Sequence, residues 1–253
     1  VPIVTQPNAA AVRKALRARS DPARAAGAAR FFKCGPGEYG EGDVFIGVTV
    51  PAQRAIARQF RELPLEEADA LLTSGVHEER SVALFVLVDQ FTRASDERLR
   101  KRIFAGYMKR LHCVNNWDLV DMSAASIVGG WLADKPKKLL DRLARSKHLW
   151  SRRVAMIATF HGIRRGDHRD AIRIATILVN DRHDLIHKAV GWMLREVGKR
   201  AGPSALESFL ERHAATMPRT MLRYAIERMP AAERRHWMGM KAHKNRSGGI
   251  ASG

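Results

Sequence analysis

Apolar residues recur at intervals of three and four along nearly the whole chain, the spacing that gathers them on one side of an α-helix. The pattern predicts helices over 9–19, 22–33, 79–91, 117–132, 150–163, 185–197 and 220–229. Asp21-Pro22 reads as an N-cap followed by a proline in the first turn, where its missing N–H is harmless. No pair of alternating stretches argues for a sheet. Residues 44–50 carry β-branched side chains, but they lie between a Gly-rich loop and Pro51. Breaks at Asp134-Lys135-Pro136, Arg165-Gly166-Asp167 and Ala201-Gly202-Pro203 separate the helices into pairs.

A slower rhythm runs beneath the helical one. Arg80, Trp117, Arg153, Lys188 and Arg223 follow one another at intervals of 37, 36, 35 and 35 residues. Two helices per unit at this period are the mark of an α-solenoid, whose stacked repeats line up equivalent helices along one concave face. Four of the five positions are cationic, so that face is expected to be basic. The helix dipole disfavours cations in a first turn by tenths of a kcal/mol, so their repetition there calls for an anionic partner. The expectation is an all-α fold: a single solenoid over 1–240, with a concave basic face, and a disordered basic tail over 241–253.

Composition sharpens the choice of partner. The chain has 253 residues, 45% of them apolar, which is enough for a real core. Its 44 Lys and Arg against 26 Asp and Glu give a net charge of +18. Such a balance points to a polyanion, nucleic acid first and an anionic membrane surface second. No apolar run approaches the ~20 residues of a membrane span. Cys34 and Cys113 stand far apart, so no disulfide framework is expected, and a reducing cytoplasm is the expected location.

Against this basic background, Trp117 and Asp121 project side by side, one helical turn apart. A second tryptophan, Trp192, shares a polar helix face with Lys188 and Arg195, opposite Ile186, Val190, Met193 and Val197. Gly191 beside it leaves room for a neighbouring helix or a DNA backbone. Other patterns are decoys. Gly35-Pro36-Gly37-Glu38-Tyr39-Gly40 fits G-x-G-x-x-G, but no strand precedes it, and Glu38, Glu41 and Asp43 would repel a phosphate. His183 and His187 lie one turn apart without a third ligand, so neither metal nor cofactor is expected. Asp118, near its helix start, is read as structural, complementing the dipole.

Several long runs carry a family resemblance. They include residues 31–43 (Phe-Phe-Lys-Cys-Gly-Pro-Gly-Glu-Tyr-Gly-Glu-Gly-Asp), His77-Glu78-Glu79-Arg80, Asn116-Trp117-Asp118-Leu119-Val120-Asp121, Leu149-Trp150-Ser151-Arg152-Arg153, residues 187–196 and residues 217–225. In these the chain resembles the AlkD-like DNA alkylation repair glycosylases, built from HEAT-like helical repeats, over about residues 8–237. The resemblance implies excision of N3- and N7-alkylated purines from double-stranded DNA by a protein that acts as a monomer. It implies Asp121 as the catalytic carboxylate and Trp117 and Trp192 as the aromatics flanking the lesion-bearing sugar. Arg153 is implied to hold the DNA backbone by the lesion, with Arg54 as a further backbone contact. Arg152, Lys188, Arg195, Arg80 and Arg223 complete the expected DNA-binding set. A third aromatic of the family has no clean counterpart, with Tyr39 and Phe45 both open. The competing reading is a helical-repeat module that binds DNA or protein without catalysis.

Overall fold

The computed structural model describes residues 7–240, so the expected tail over 241–253 lies outside the described residues. Among the described residues every regular element is helical, apart from one isolated parallel bridge between Val44 and Val76. The chain gathers into two compact units, Val1–His161 and Gly162–Gly253. Each is described by itself.

The first unit contains α1 (Ala9–Arg17), α2 (Pro22–Phe31), α3 (Val50–Gln59), α4 (Leu65–Leu72), α5 (His77–Arg93), α6 (Glu97–Lys109), α7 (Trp117–Ala124), α8 (Gly130–Leu132), α9 (Lys138–Ala144) and α10 (Leu149–Ala158). Asp21 caps α2 as expected, accepting the Arg24 N–H at 3.0 Å with Pro22 in the first turn. Two helices organise the unit. α5 receives α3, α4 and α7, and α10 lies on α7 and α9. Val82, Ala83, Leu84 and Val86 of α5 are buried, as are the residues from Val154 to Ala158 of α10. Each fully buried aliphatic side chain contributes about 1.5–3 kcal/mol.

α7 runs through a π turn, Ala125–Gly129, into α8, so the predicted helix over 117–132 is continuous but contains one wide turn. Gly129 lies where α10 passes: a Cβ there would fall 2.2 Å from the Ala158 carbonyl oxygen.

The first turn of α5 is polar, yet buried. Glu78 accepts backbone N–H groups from Ile46, Gly47 and Val48, the shortest at 2.8 Å. Glu79 pairs with Arg13 at 2.8 Å. These bonds fix residues 44–50 as an ordered connection, with Gly47 at φ +79°. A Cβ on Gly47 would meet the Asp21 carbonyl oxygen at 2.1 Å, so this turn requires glycine.

The division between the units falls within α11 (Phe160–Ile163), one short turn. The second unit then contains α12 (Arg169–Leu178), α13 (Asp184–Arg200), α14 (Pro203–His213), α15 (Arg219–Ala225) and α16 (Ala231–Gly239). α13 is its centre, packed by α12, α14 and α15. The face predicted to be apolar, Ile186, Val190, Met193 and Val197, is fully buried. What approaches Gly191 is a helix: a Cβ would lie 2.5 Å from the Met221 carbonyl oxygen and from Tyr224 Cβ, both on α15.

Candidate active site

α7 begins where Asn116 caps it, its side chain accepting the Trp117 N–H at 2.8 Å. The cap is therefore Asn116. Asp118, read from the sequence as complementing the dipole, sits in the first turn but is drawn into a side-chain network described below. Trp117 and Asp121 then emerge on the same face, and both are half-buried.

Asp121 meets Arg153 of α10. The guanidinium donates from Nε to Oδ1 at 2.9 Å and from Nη2 to Oδ2 at 2.8 Å, a bidentate bridge. Its two side chains are 17% and 5% exposed respectively. Burial pushes the Asp121 carboxyl above its ordinary value, and the guanidinium opposes that rise. Helix register explains the encounter. The first i→i−4 bonds of α7, α10, α13 and α15 end on Asn116, His148, His183 and Pro218. Counting five residues on from each gives Asp121, Arg153, Lys188 and Arg223. So it is Asp121, and not Trp117, that stands where the other helices carry a cation. A carboxylate thus replaces one member of a cationic series and pairs with the next.

Trp117 belongs to an aromatic stack. Its ring lies on Phe32 (5.2 Å between centroids, 22° between planes), Phe32 lies on Phe45 (5.0 Å, 14°) and Phe45 lies on His77 (4.4 Å, 23°). Phe31 meets Trp117 edge-on at 5.9 Å and is 65% exposed. Of the two aromatics left open by the sequence, Tyr39 turns its ring to Trp150 at 6.0 Å and Phe45 is sandwiched inside the stack. The exposed aromatic beside Trp117 is Phe31, which the sequence reading quoted without assigning.

His77, at the foot of the stack, is 2% exposed. Its Nδ1 lies 3.0 Å from Asp43 Oδ2 and its Nε2 2.8 Å from Asp118 Oδ2. Burial works against a charged ring, but the bonds to Asp118 and Asp43 outweigh it, and the His77 pKa is raised. Asp43 is held below the ordinary carboxylate range: burial raises it, and His77 and Arg80 more than offset that.

Arg80 requires a correction. Expected on a DNA-facing surface, it is buried, donates to Asp43 at 2.6 Å and to the Ser74 carbonyl at 2.9 Å. It also stands one residue out of the register just described, since the first bond of α5 ends on Val76 and places Ser81 fifth. A guanidinium enclosed with a buried carboxylate is a structural cation. Arg152, half-buried, donates to the Ser146 and Lys147 carbonyls and ties down the turn before α10. Arg54 is exposed on α3, its guanidinium 4.7 Å from the Phe85 ring centroid.

In the second unit Trp192 is half-buried on α13. On the same helix Lys188 pairs with Asp184 at 2.7 Å, and Arg195 pairs with Glu227. Arg223 is exposed on α15. His183 accepts the Leu185 N–H and His187 bonds to the Asp181 carbonyl, so both histidines serve the start of α13.

The family model described as DNA alkylation repair enzyme matches residues 12–229. No curated protein sequence matches the chain. A solved structure titled a predicted DNA alkylation repair enzyme from Enterococcus faecalis is similar in fold, with a TM-score of 0.64 and 20% identity, over 84% of this chain and 98% of that one.

Proposed function

This chain belongs to the DNA alkylation repair enzyme family, and from that premise we propose that it is a DNA glycosylase removing cationic N3- and N7-alkylated purines from duplex DNA. The observation that carries the reading is the Asp121–Arg153 bridge. It holds a half-buried carboxylate in a fixed orientation beside exposed aromatic surface, with a guanidinium opposing the rise that burial imposes, in a chain of net charge +18.

The chemistry asks little of the protein. Alkylation at N3 or N7 already makes the purine a cationic leaving group, so no general acid is needed to protonate it, and one carboxylate suffices where glycosidases commonly use two. As the glycosidic bond breaks, its electron pair leaves with the purine, which becomes neutral. The sugar becomes oxocarbenium-like. Asp121 stabilises that cation and orients the water whose oxygen adds to C1′ and whose proton is released. Trp117 and Phe31 offer ring faces and edges to the cationic sugar or base. Each such contact is worth about 0.5–2 kcal/mol. Arg54, Lys188, Arg195 and Arg223 serve as phosphate ligands, and Arg153 combines orientation of Asp121 with the backbone at the lesion.

Single-turnover release of 7-methylguanine and 3-methyladenine from duplex DNA tests this. The wild type releases them, and Asp121→Asn lowers the rate at least a hundredfold without weakening DNA binding, because the variant has one negative charge fewer. A wild type that releases neither base at any excess over DNA is a binding module and not a glycosylase.

A further inference from the structure

The excision chemistry makes no direct use of His77, yet His77 reaches Trp117 by two separate routes. The first is the hydrogen bond from Nε2 to Asp118, the residue next to Trp117 in the first turn of α7. The second is the stack of rings that runs from His77 through Phe45 and Phe32 to Trp117. The other ring nitrogen is held by Asp43, in the loop between α2 and α3. A flat ring with a donor at each end suits this place, since Lys carries only one donor position and Gln only one amide.

We propose that His77 is the positioning residue of the excision site, clamping the first turn of α7 so that the Trp117 indole and the Asp121 carboxylate keep the orientation catalysis needs. This inference rests on the glycosylase reading for its meaning, though not for its geometry.

The clamp depends on charge. With both carboxylates ionised, only an imidazolium can donate at both nitrogens. The charged groups facing the ring are Asp43 from the loop, Asp118 from α7 and Arg80 from its own helix, whose Nη2 is 3.5 Å from Nδ1. Phe32 and Phe45 complete its surroundings. When the ring loses its proton, one nitrogen must turn a lone pair towards a carboxylate, and one bond breaks. Asp43 keeps other donors: Arg80 at 2.6 Å, Asn115 at 3.3 Å and Asn116 at 3.5 Å. Asp118 has its Oδ1 buried without a hydrogen-bond partner, so its carboxylate depends on His77. The remaining proton therefore stays on Nε2 and the Asp43 link is the one that yields, leaving the bond to Asp118 without its charge assistance at the foot of α7.

The test follows the wild type, His77→Gln and Asp118→Asn through pH 6 to 9, measuring single-turnover excision, duplex affinity and, by NMR of the free protein, the Trp117 indole resonance, assigned with Trp117→Phe. In the wild type the excision rate falls as His77 deprotonates, and the indole resonance shifts with the same midpoint. Asp118→Asn keeps an acceptor but removes a charge, moving that limb about one pH unit towards acid. His77→Gln abolishes the limb and slows excision about tenfold, with affinity within about twofold of wild type. An indole resonance indifferent to the His77 titration, or an unmoved limb in Asp118→Asn, overturns the proposal. If His77→Gln does not fold, Asp118→Asn and the wild-type resonance still decide it. If the wild type releases no alkylated purine, the glycosylase reading fails while the indole titration alone settles the positioning.

Discussion

Asp121 and Arg153 are 32 residues apart in sequence and hold the same place in two adjacent helices, which is why they meet. Burial and the bridge act on the carboxylate in opposite senses. Burial raises the Asp121 pKa and Arg153 restrains the rise. On the glycosylase reading the ionised form is the active one, so excision is expected to fall as pH drops through the Asp121 value. Removing the restraint in Arg153→Gln moves that acid limb to higher pH as well as slowing the reaction, and a single-turnover pH profile of the two proteins checks it. An acid limb that stays in place would show that Arg153 does not govern Asp121. Most of the site was legible as residue types: Trp117 and Asp121 one turn apart, and a basic series around them. The pairing was not, because a sequence does not show which cation faces which carboxylate. Arg80 shows the same limit. Its partner, Asp43, lies 37 residues earlier in a loop that the hydrophobic pattern left without assigned structure.

At the scale of elements, the three-and-four periodicity located α1, α2, α5, α7 with α8, α10, α13 and α15 to within a few residues. It erred chiefly where the chain ends them early: α15 stops at Ala225 against a predicted 229, and the predicted helix over 150–163 is interrupted at Thr159. The start of α5 was harder to read, since four consecutive polar residues look like a solvated first turn. They are buried because each has a partner elsewhere: Asp43, Asp118, Arg13 and the backbone N–H groups of residues 46–48. The turn therefore ties the loop after α2, the first turn of α7 and α1 to one helix. That tie carries a pH signature in stability. A histidine whose folded pKa is raised contributes fully below its unfolded value of about 6.5 and loses the contribution as pH rises through the folded value. Chemical denaturation of wild type and His77→Gln should thus show a difference in unfolding free energy that is largest near pH 6 and shrinks towards alkaline pH. A constant difference would mean that folding leaves the His77 pKa unchanged.

For the whole molecule the decisive quantity is charge. A net +18 spread over 253 residues draws a polyanion from a distance and holds it through counterion release. If roughly six phosphates are neutralised, the logarithm of the duplex association constant falls with the logarithm of salt concentration at a slope near −5. Titration at several salt concentrations measures it, and a slope near zero would remove DNA as the partner. Arg80 belongs to an internal bridge and Arg153 is shared with Asp121, so on the glycosylase reading most phosphate contacts fall to other cations. The π turn at Ala125–Gly129 bears on how such a chain tolerates changes of length. A π turn holds one residue more than the regular helix around it needs. Deleting Ser126 removes that surplus and leaves Trp117 and Asp121 in phase with Gly130–Leu132. Deleting Met122 instead turns everything before it by about 100°. Thermal unfolding should find the first deletion close to wild type and the second severely destabilised. The wide turn is thus a spare residue, a point at which the helix that carries Trp117 and Asp121 can shorten without turning them out of phase.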